Sequence, residues 1–103
     1  MIYQLTSNFL IPGKMPEYFK LAEAIQPVYP KVGIKIVGSW HGYTGDMNVI
    51  HVLYAYDDLA AYGKARETAS KNADYRSIVA KVPALCVRQN LTLLEPNPWS
   101  PMK

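Results

Sequence analysis

This chain is short of charge, of cysteine and of long apolar runs, and each shortage closes off a class of function. Of its 103 residues 18% are charged and 50% are hydrophobic, a balance that argues against disorder. The formal charge of +3 comes from lysines and arginines scattered singly along the sequence. Neutralising phosphates takes a concentrated basic face, so no nucleic-acid partner is expected. Cys86 is the one cysteine; it forms no disulfide within the chain and points to a reducing, cytoplasmic setting. Met1 runs almost at once into strand-like sequence, without a charged segment followed by an apolar one. No apolar stretch approaches a membrane span, so no membrane partner is expected either.

Histidine is nearly as scarce as cysteine. His41 and His51 are the only two, and no third ligand stands at a suitable spacing, so no metal site is expected. The Gly42–Gly45 segment has neither the pattern nor the helix start of a phosphate loop, and nothing else in the chain calls for a cofactor. Aromatic surface, by contrast, is plentiful. Eight tyrosines and two tryptophans suit interfaces and partly wet pockets.

The length fits one domain over residues 1–103. Ile2 to Phe9 reads as a strand, with Tyr3, Leu5 and Phe9 on one face and Gln4, Thr6 and Asn8 on the other. Pro12-Gly13 ends it. Pro16 then suits a first helical turn, and Tyr18, Leu21, Ala22, Ile25 and Val28 keep helical spacing until Pro30 and Gly33. Ile34–Tyr43 and Val49–Tyr56 read as two strands joined by a hairpin loop. Asp57 or Asp58 caps a second helix with a stripe of Leu59, Tyr62, Arg66 and Ala69, interrupted at Asn72–Asp74. Tyr75, Ile78, Val79 and Val82 continue in a further helix, and a last strand runs from about Val87 to Leu94. The order βαββαβ predicts an α+β, ferredoxin-like fold: a four-stranded antiparallel sheet with its helices on one face.

Val49–Tyr56 is apolar on both faces: Val49, Leu53 and Ala55 on one, Ile50, Val52, Tyr54 and Tyr56 on the other. The helices cover one face only. Leaving several such side chains wet on the second costs on the order of 1.5–3 kcal/mol each. The chain has no spare element for that face, so a homodimer packed sheet on sheet is expected. The proline-spaced tail, residues 95–103, is expected to seat Trp99, flanked by Pro98 and Pro101, against the second copy.

Several blocks together resemble the NIPSNAP family of the dimeric α/β-barrel superfamily. Tyr3-Gln4-Leu5 followed by Pro12-Gly13-Lys14 is similar to the family's opening, and Gly38-x-Trp40 with Gly45-x-x-Asn48 to its central hairpin. Tyr56-Asp57-Asp58-Leu59-Ala60 with Arg66 resembles the start of its second helix. Gln89 through Pro96-x-Pro98-Trp99-Ser100-Pro101 resembles its last strand and ending, with Trp99 in place of phenylalanine. Two positions depart, Thr6 where relatives often carry arginine and Val52 where they often carry histidine, so no role of that pair transfers. The resemblance implies a fold and a dimer. Its wider superfamily spans cofactor-independent monooxygenases, isomerases, haem enzymes and proteins without known activity, so it names no reaction.

On these grounds the expected function is a homodimer with a small aromatic-lined pocket that binds a small organic molecule, with cofactor-independent oxygenation or isomerisation as its chemistry. The alternative is a non-catalytic interaction or structural dimer. His51 is the first candidate for proton transfer and His41 the second. One hairpin register puts the two on a shared face, and a register one residue different puts them on opposite faces. Tyr3, Trp40, Tyr54 and Tyr56 are candidate pocket walls. Arg66 either pairs with Asp57, Asp58 or a backbone carbonyl, or faces the pocket to hold an anionic group. A water-accessible interior cavity with a histidine pointing into it separates the enzyme from the structural dimer.

Overall fold

In the computed structural model, which describes residues 1–103, β1 (Ile2–Leu10) leads into α1 (Met15–Ile25) and a 3₁₀ turn over Tyr29–Val32. There follow β2 (Lys35–His41), β3 (Val49–Tyr56), α2 (Leu59–Lys71), α3 (Ala73–Val79), a second 3₁₀ turn over Pro83–Leu85, and β4 (Cys86–Leu94). The strands pair antiparallel in the order β2-β3-β1-β4. This is the expected α+β, ferredoxin-like arrangement.

Local chemistry accounts for the joints. Pro12 and Gly13 occupy the centre of a turn closed by the Lys14 amide donating to the Ile11 carbonyl at 3.0 Å, and Gly13 takes φ +89°. Proline first and left-handed glycine second is the type II pattern. Asp58 caps α2 by accepting from the Ala61 amide at 2.7 Å. Asn72 stops α2 and caps α3, accepting from the Tyr75 amide at 2.9 Å. That asparagine makes two helices of what would otherwise be one.

The buried stripe of α2 differs from the expected one. Ala65 and Ala69 are buried, whereas Leu59 is 61% exposed and Arg66 lies at the surface. Small side chains let α2 sit close to the first 3₁₀ turn and the segment after it, with the Ala65 Cβ 3.9 Å from the Cβ position at Gly33. Close approach decided the stripe, and the larger leucine was left outside.

The register of β1 puts its polar side inward. Gln4 pairs with Tyr54, Thr6 with Val52 and Asn8 with Ile50, and residues directly opposite one another share a face. Ile50, Val52 and Tyr54 pack into the helix-covered core. Gln4 and Asn8 therefore point into that interior and are 8% and 4% exposed. The apolar set of the same strand, Tyr3, Leu5 and Phe9, shares the opposite, helix-free face with Val49, Leu53 and Ala55.

Trp40 also lies on this open face, opposite His51. Its indole crosses Gly38, where an added Cβ would come within 2.5 Å of the ring. That close approach is why the Gly38-x-Trp40 spacing needs its glycine. The tail returns towards the same face: the Tyr3 hydroxyl donates to the Lys103 carbonyl at 3.0 Å. Instead of extending away from the edge strand throughout, as expected, its last residues fold back on their own sheet. Trp99 is 79% exposed, and Pro98 and Pro101 are exposed beside it.

Candidate functional site

Between the sheet and helices α1 and α3 lies a cavity of about 270 Å³. Gln4, Thr6 and Asn8 of β1 give it a polar floor, continued by Gln89 on β4 and Ser39 on β2. Tyr18, Leu21, Ala22 and Ile25 of α1 form one wall, and Tyr75, Ile78 and Val79 of α3 another. No residue of α3 is buried, because much of its inner face borders the cavity rather than packed side chains. The exposed lining residues, Gln26, Ser39, Arg66, Val79, Pro83, Gln89 and Leu91, lie where the cavity opens to solvent.

The floor is wired by hydrogen bonds. The Gln89 amide donates to Asn8 Oδ1 at 3.0 Å, and Asn8 Nδ2 donates to the Tyr18 hydroxyl at 2.9 Å. Gln4 Nε2 donates to Thr6 Oγ1 at 2.8 Å. The Tyr29 and Tyr54 hydroxyls lie 2.8 Å apart, with their rings edge to face. Every buried side-chain polar atom has a partner, as a native interior requires.

Burial keeps these phenols neutral. It pushes Tyr29 up to about 12, raises Tyr18 and Tyr75 above the usual phenol value, and drives Tyr54 higher still. Desolvation disfavours the charged phenolate in each case. Arg66 is the one charged side chain lining the cavity. Its guanidinium sits 5.7 Å from the centre of the Tyr62 ring.

The sequence candidates divide between the two sides of the sheet. Tyr54 and Arg66 line the cavity. The ion pairs of the chain are Lys14–Glu17 and Lys71–Glu67, so Arg66 pairs with neither Asp57 nor Asp58; it borders the cavity from an exposed position. Tyr56 is on the helix side but packs edge to face on Tyr62 outside the cavity lining. Tyr3 and Trp40 are on the open face, as is His51, whose Nδ1 lies 2.7 Å from the Ser7 hydroxyl.

His41 pairs with Ile50 and packs on Phe19 of α1, so the two histidines face opposite ways. Trp40, not His41, stands opposite His51, and that single step of register separates them. Neither histidine lines the cavity, which corrects the expectation that either acts on a molecule held there. Nor does any group of three His, Cys, Asp or Glu side chains have the geometry to hold a metal ion. Burial raises the Cys86 thiol pKa, the wrong direction for a nucleophile.

Reasoning from sequence missed Gln4, Thr6, Asn8, Tyr18 and Gln89 as site residues. The signal was present in the alternation of β1. A central strand whose polar side faces helices has a polar interior to line.

Among known proteins, the NIPSNAP family model matches residues 3–101. "Protein NipSnap homolog 1" of Danio rerio is 30% identical over 103 residues, which cover 99% of this chain and 36% of that protein. The chain thus spans little more than a third of this relative's length. A NIPSNAP family protein with unknown function from Agrobacterium tumefaciens superposes with a TM-score of 0.89 at 21% identity, covering 100% of this chain and 94% of that one. A NIPSNAP domain protein from Burkholderia xenovorans gives 0.86 at 20% identity over 98% and 99% of the two chains. A structure described as an antibiotic biosynthesis monooxygenase shares the fold more distantly, with a TM-score of 0.71 at 12% identity over 95% and 100%. The match along nearly the whole sequence, on a fold shared with solved members, makes this chain a member of the NIPSNAP family.

Proposed function

We propose that the protein is a homodimer in which each subunit holds a small organic molecule in the cavity between its sheet and α1–α3. The inward polar side of β1 carries this reading. Placing Gln4, Thr6 and Asn8 beneath helices forgoes apolar burial worth on the order of 1.5–3 kcal/mol per large side chain. A central strand that served packing alone would have no use for that arrangement. The same inversion supports the dimer, because it sends Tyr3, Leu5 and Phe9 to the helix-free face. Tyr3, Val49 and Ala55 are already buried within the subunit. A second sheet laid on that face would cover Leu5, Phe9, Leu53 and Trp40, which the single chain leaves partly or largely exposed, and Trp99 with Pro98 and Pro101 would contribute at the rim.

Binding, rather than proton transfer, is what the cavity side chains support. No histidine or carboxylate lines it, and its phenols are held in the neutral form. The reading is tested by a thermal-shift screen of small aromatic and carbonyl compounds, repeated on Ala22→Trp, which fills the cavity from α1. A ligand at a hundred times its Kd adds about 2.7 kcal/mol to the folded state. Hits that raise the wild-type Tm and leave that of the filled variant unmoved support the pocket. Equal shifts in both proteins refute it.

A further inference from the structure

The hydrogen-bond directions inside the cavity say which kind of molecule it takes, and this inference rests on the pocket reading above. Tyr18 accepts from Asn8, so its own hydroxyl proton is unspent. Thr6 accepts from Gln4, and its proton is unspent too. In the Tyr29–Tyr54 pair one hydroxyl donates to the other, which leaves one proton over. The Ser39 and Tyr75 hydroxyls, which line the cavity and form no hydrogen bond, bring the number of O–H donors bordering the same space to five. Burial holds the phenols neutral, so they stay donors throughout the physiological range.

Charge adds a second, independent constraint. Arg66 lines the cavity without a carboxylate partner, and its charge is felt at Tyr75 and Tyr56, whose phenolates it favours. No acidic side chain lines the site. The acceptors on hand are neutral amide and hydroxyl oxygens, those of Gln4, Gln26, Gln89 and Ser39 among them, and these do not hold a cation against an unpaired guanidinium. The volume of about 270 Å³ falls just below the ~300–1,000 Å³ of sites that take drug-sized ligands.

We infer that the cavity takes a small, flat, conjugated monoanion, an aromatic carboxylate or an equivalent enolate, with its negative group at Arg66 and its remaining oxygens accepting from the unspent hydroxyls. A planar carboxylate matches the fork of a guanidinium. Aliphatic and aromatic walls from α1, β3 and α3 suit the faces of a ring. A cation is rejected by Arg66, and a neutral ring forgoes the charge-assisted contact.

Three probes that share the naphthalene ring and differ in charge test this by calorimetry at neutral pH: hydroxynaphthoate (anion), naphthol (neutral) and naphthylmethylamine (cation). The expected result is that hydroxynaphthoate binds about tenfold tighter than naphthol, as one charge-assisted hydrogen bond supplies, and that the amine does not bind. Arg66→Gln, at an exposed position that does not endanger the fold, should abolish that preference, and Arg66→Lys should keep most of it. Ala22→Trp should remove hydroxynaphthoate binding altogether. Equal affinity for hydroxynaphthoate and naphthol, or a preference that survives Arg66→Gln, overturns the anion while leaving the pocket standing. Binding of none of the three, or hydroxynaphthoate binding that persists in Ala22→Trp, overturns both.

Discussion

The Ser7 hydroxyl and His51 Nδ1 lie 2.7 Å apart at the middle of the helix-free face. Across the sheet their neighbours in register are Trp40 on β2 and Asn90 on β4. A polar rung, Trp40–His51–Ser7–Asn90, thus crosses a face that is otherwise apolar in its two central strands. On a sheet that packs against its own copy, such a rung sets alignment, because only some placements satisfy it.

Substituting His51 should therefore affect assembly and spare binding. His51→Ala is expected to leave hydroxynaphthoate affinity within about a factor of two while weakening self-association by about 1 kcal/mol, one hydrogen bond's worth. Calorimetry and sedimentation on the same sample separate the two. Lost affinity with an intact dimer would return the histidine to the site.

Asn8 links β4 to α1 through two hydrogen bonds beneath the cavity. Asn8→Ala leaves the Gln89 amide and the Tyr18 hydroxyl without that link, at a cost of about 1–3 kcal/mol. Urea unfolding should show a lower midpoint with an unchanged slope. A midpoint equal to that of the wild type would mean that water replaces the asparagine without loss.

At Gly38 any side chain collides with an indole. Gly38→Val should drive the Trp40 ring off the sheet, since even a Cβ would stand 2.5 Å from it. In a Trp99→Phe background, where Trp40 is the sole tryptophan, its emission should shift to the red and self-association should weaken. Unaltered emission would show that the ring does not rest on the glycine.

The buried phenols give an alkaline signature with a definite sign. Burial raises Tyr29 to about 12 from an ordinary value of 10.0, and it raises Tyr54 further. Between those values the folded chain holds protons that the unfolded chain has released, so stability falls as pH rises from 10 towards 12. Tyr29→Phe should flatten that fall. Phenolate absorbance followed through the same range should show these tyrosines ionising only with unfolding, and early ionisation without unfolding counts against their burial.

Removing residues after Glu95 should weaken self-association more than it lowers the stability of the subunit. The deletion takes away exposed Trp99 and the Tyr3–Lys103 hydrogen bond, both next to the proposed interface. An unchanged dimer dissociation constant would assign the tail to its own subunit alone.

How far sequence reasoning reached depended on whether a feature was local. Val49–Tyr56 reads as a strand and is one to the residue, because both its faces are apolar and a loop precedes it. A cap is legible at Asp57 or Asp58, and Asp58 is the one, because a capping side chain acts on the amide three residues on. The fate of His51 was not legible in this way. It hangs on the pairing of two strands, with the irregularity between Ile36 and Gly38 in the same ladder, and on which face the helices choose. The α2 stripe went astray for a related reason: helical spacing names sets of residues, but the partner surface selects among them. The cavity could be located only once both facts were in place, since its floor is half of one strand and its roof a helix from the other end of the chain.

The alternation along β1 has a consequence for how such a protein changes over generations. Even-numbered positions from Gln4 to Asn8 face the cavity, and odd-numbered ones from Tyr3 to Phe9 face the opposite side of the sheet. Point substitutions at one set leave the other in place, so the cavity lining can drift while the opposite face is kept. Insertion or loss of a single residue between Tyr3 and Phe9 exchanges the two sets at once. This strand is therefore free in letter and fixed in length.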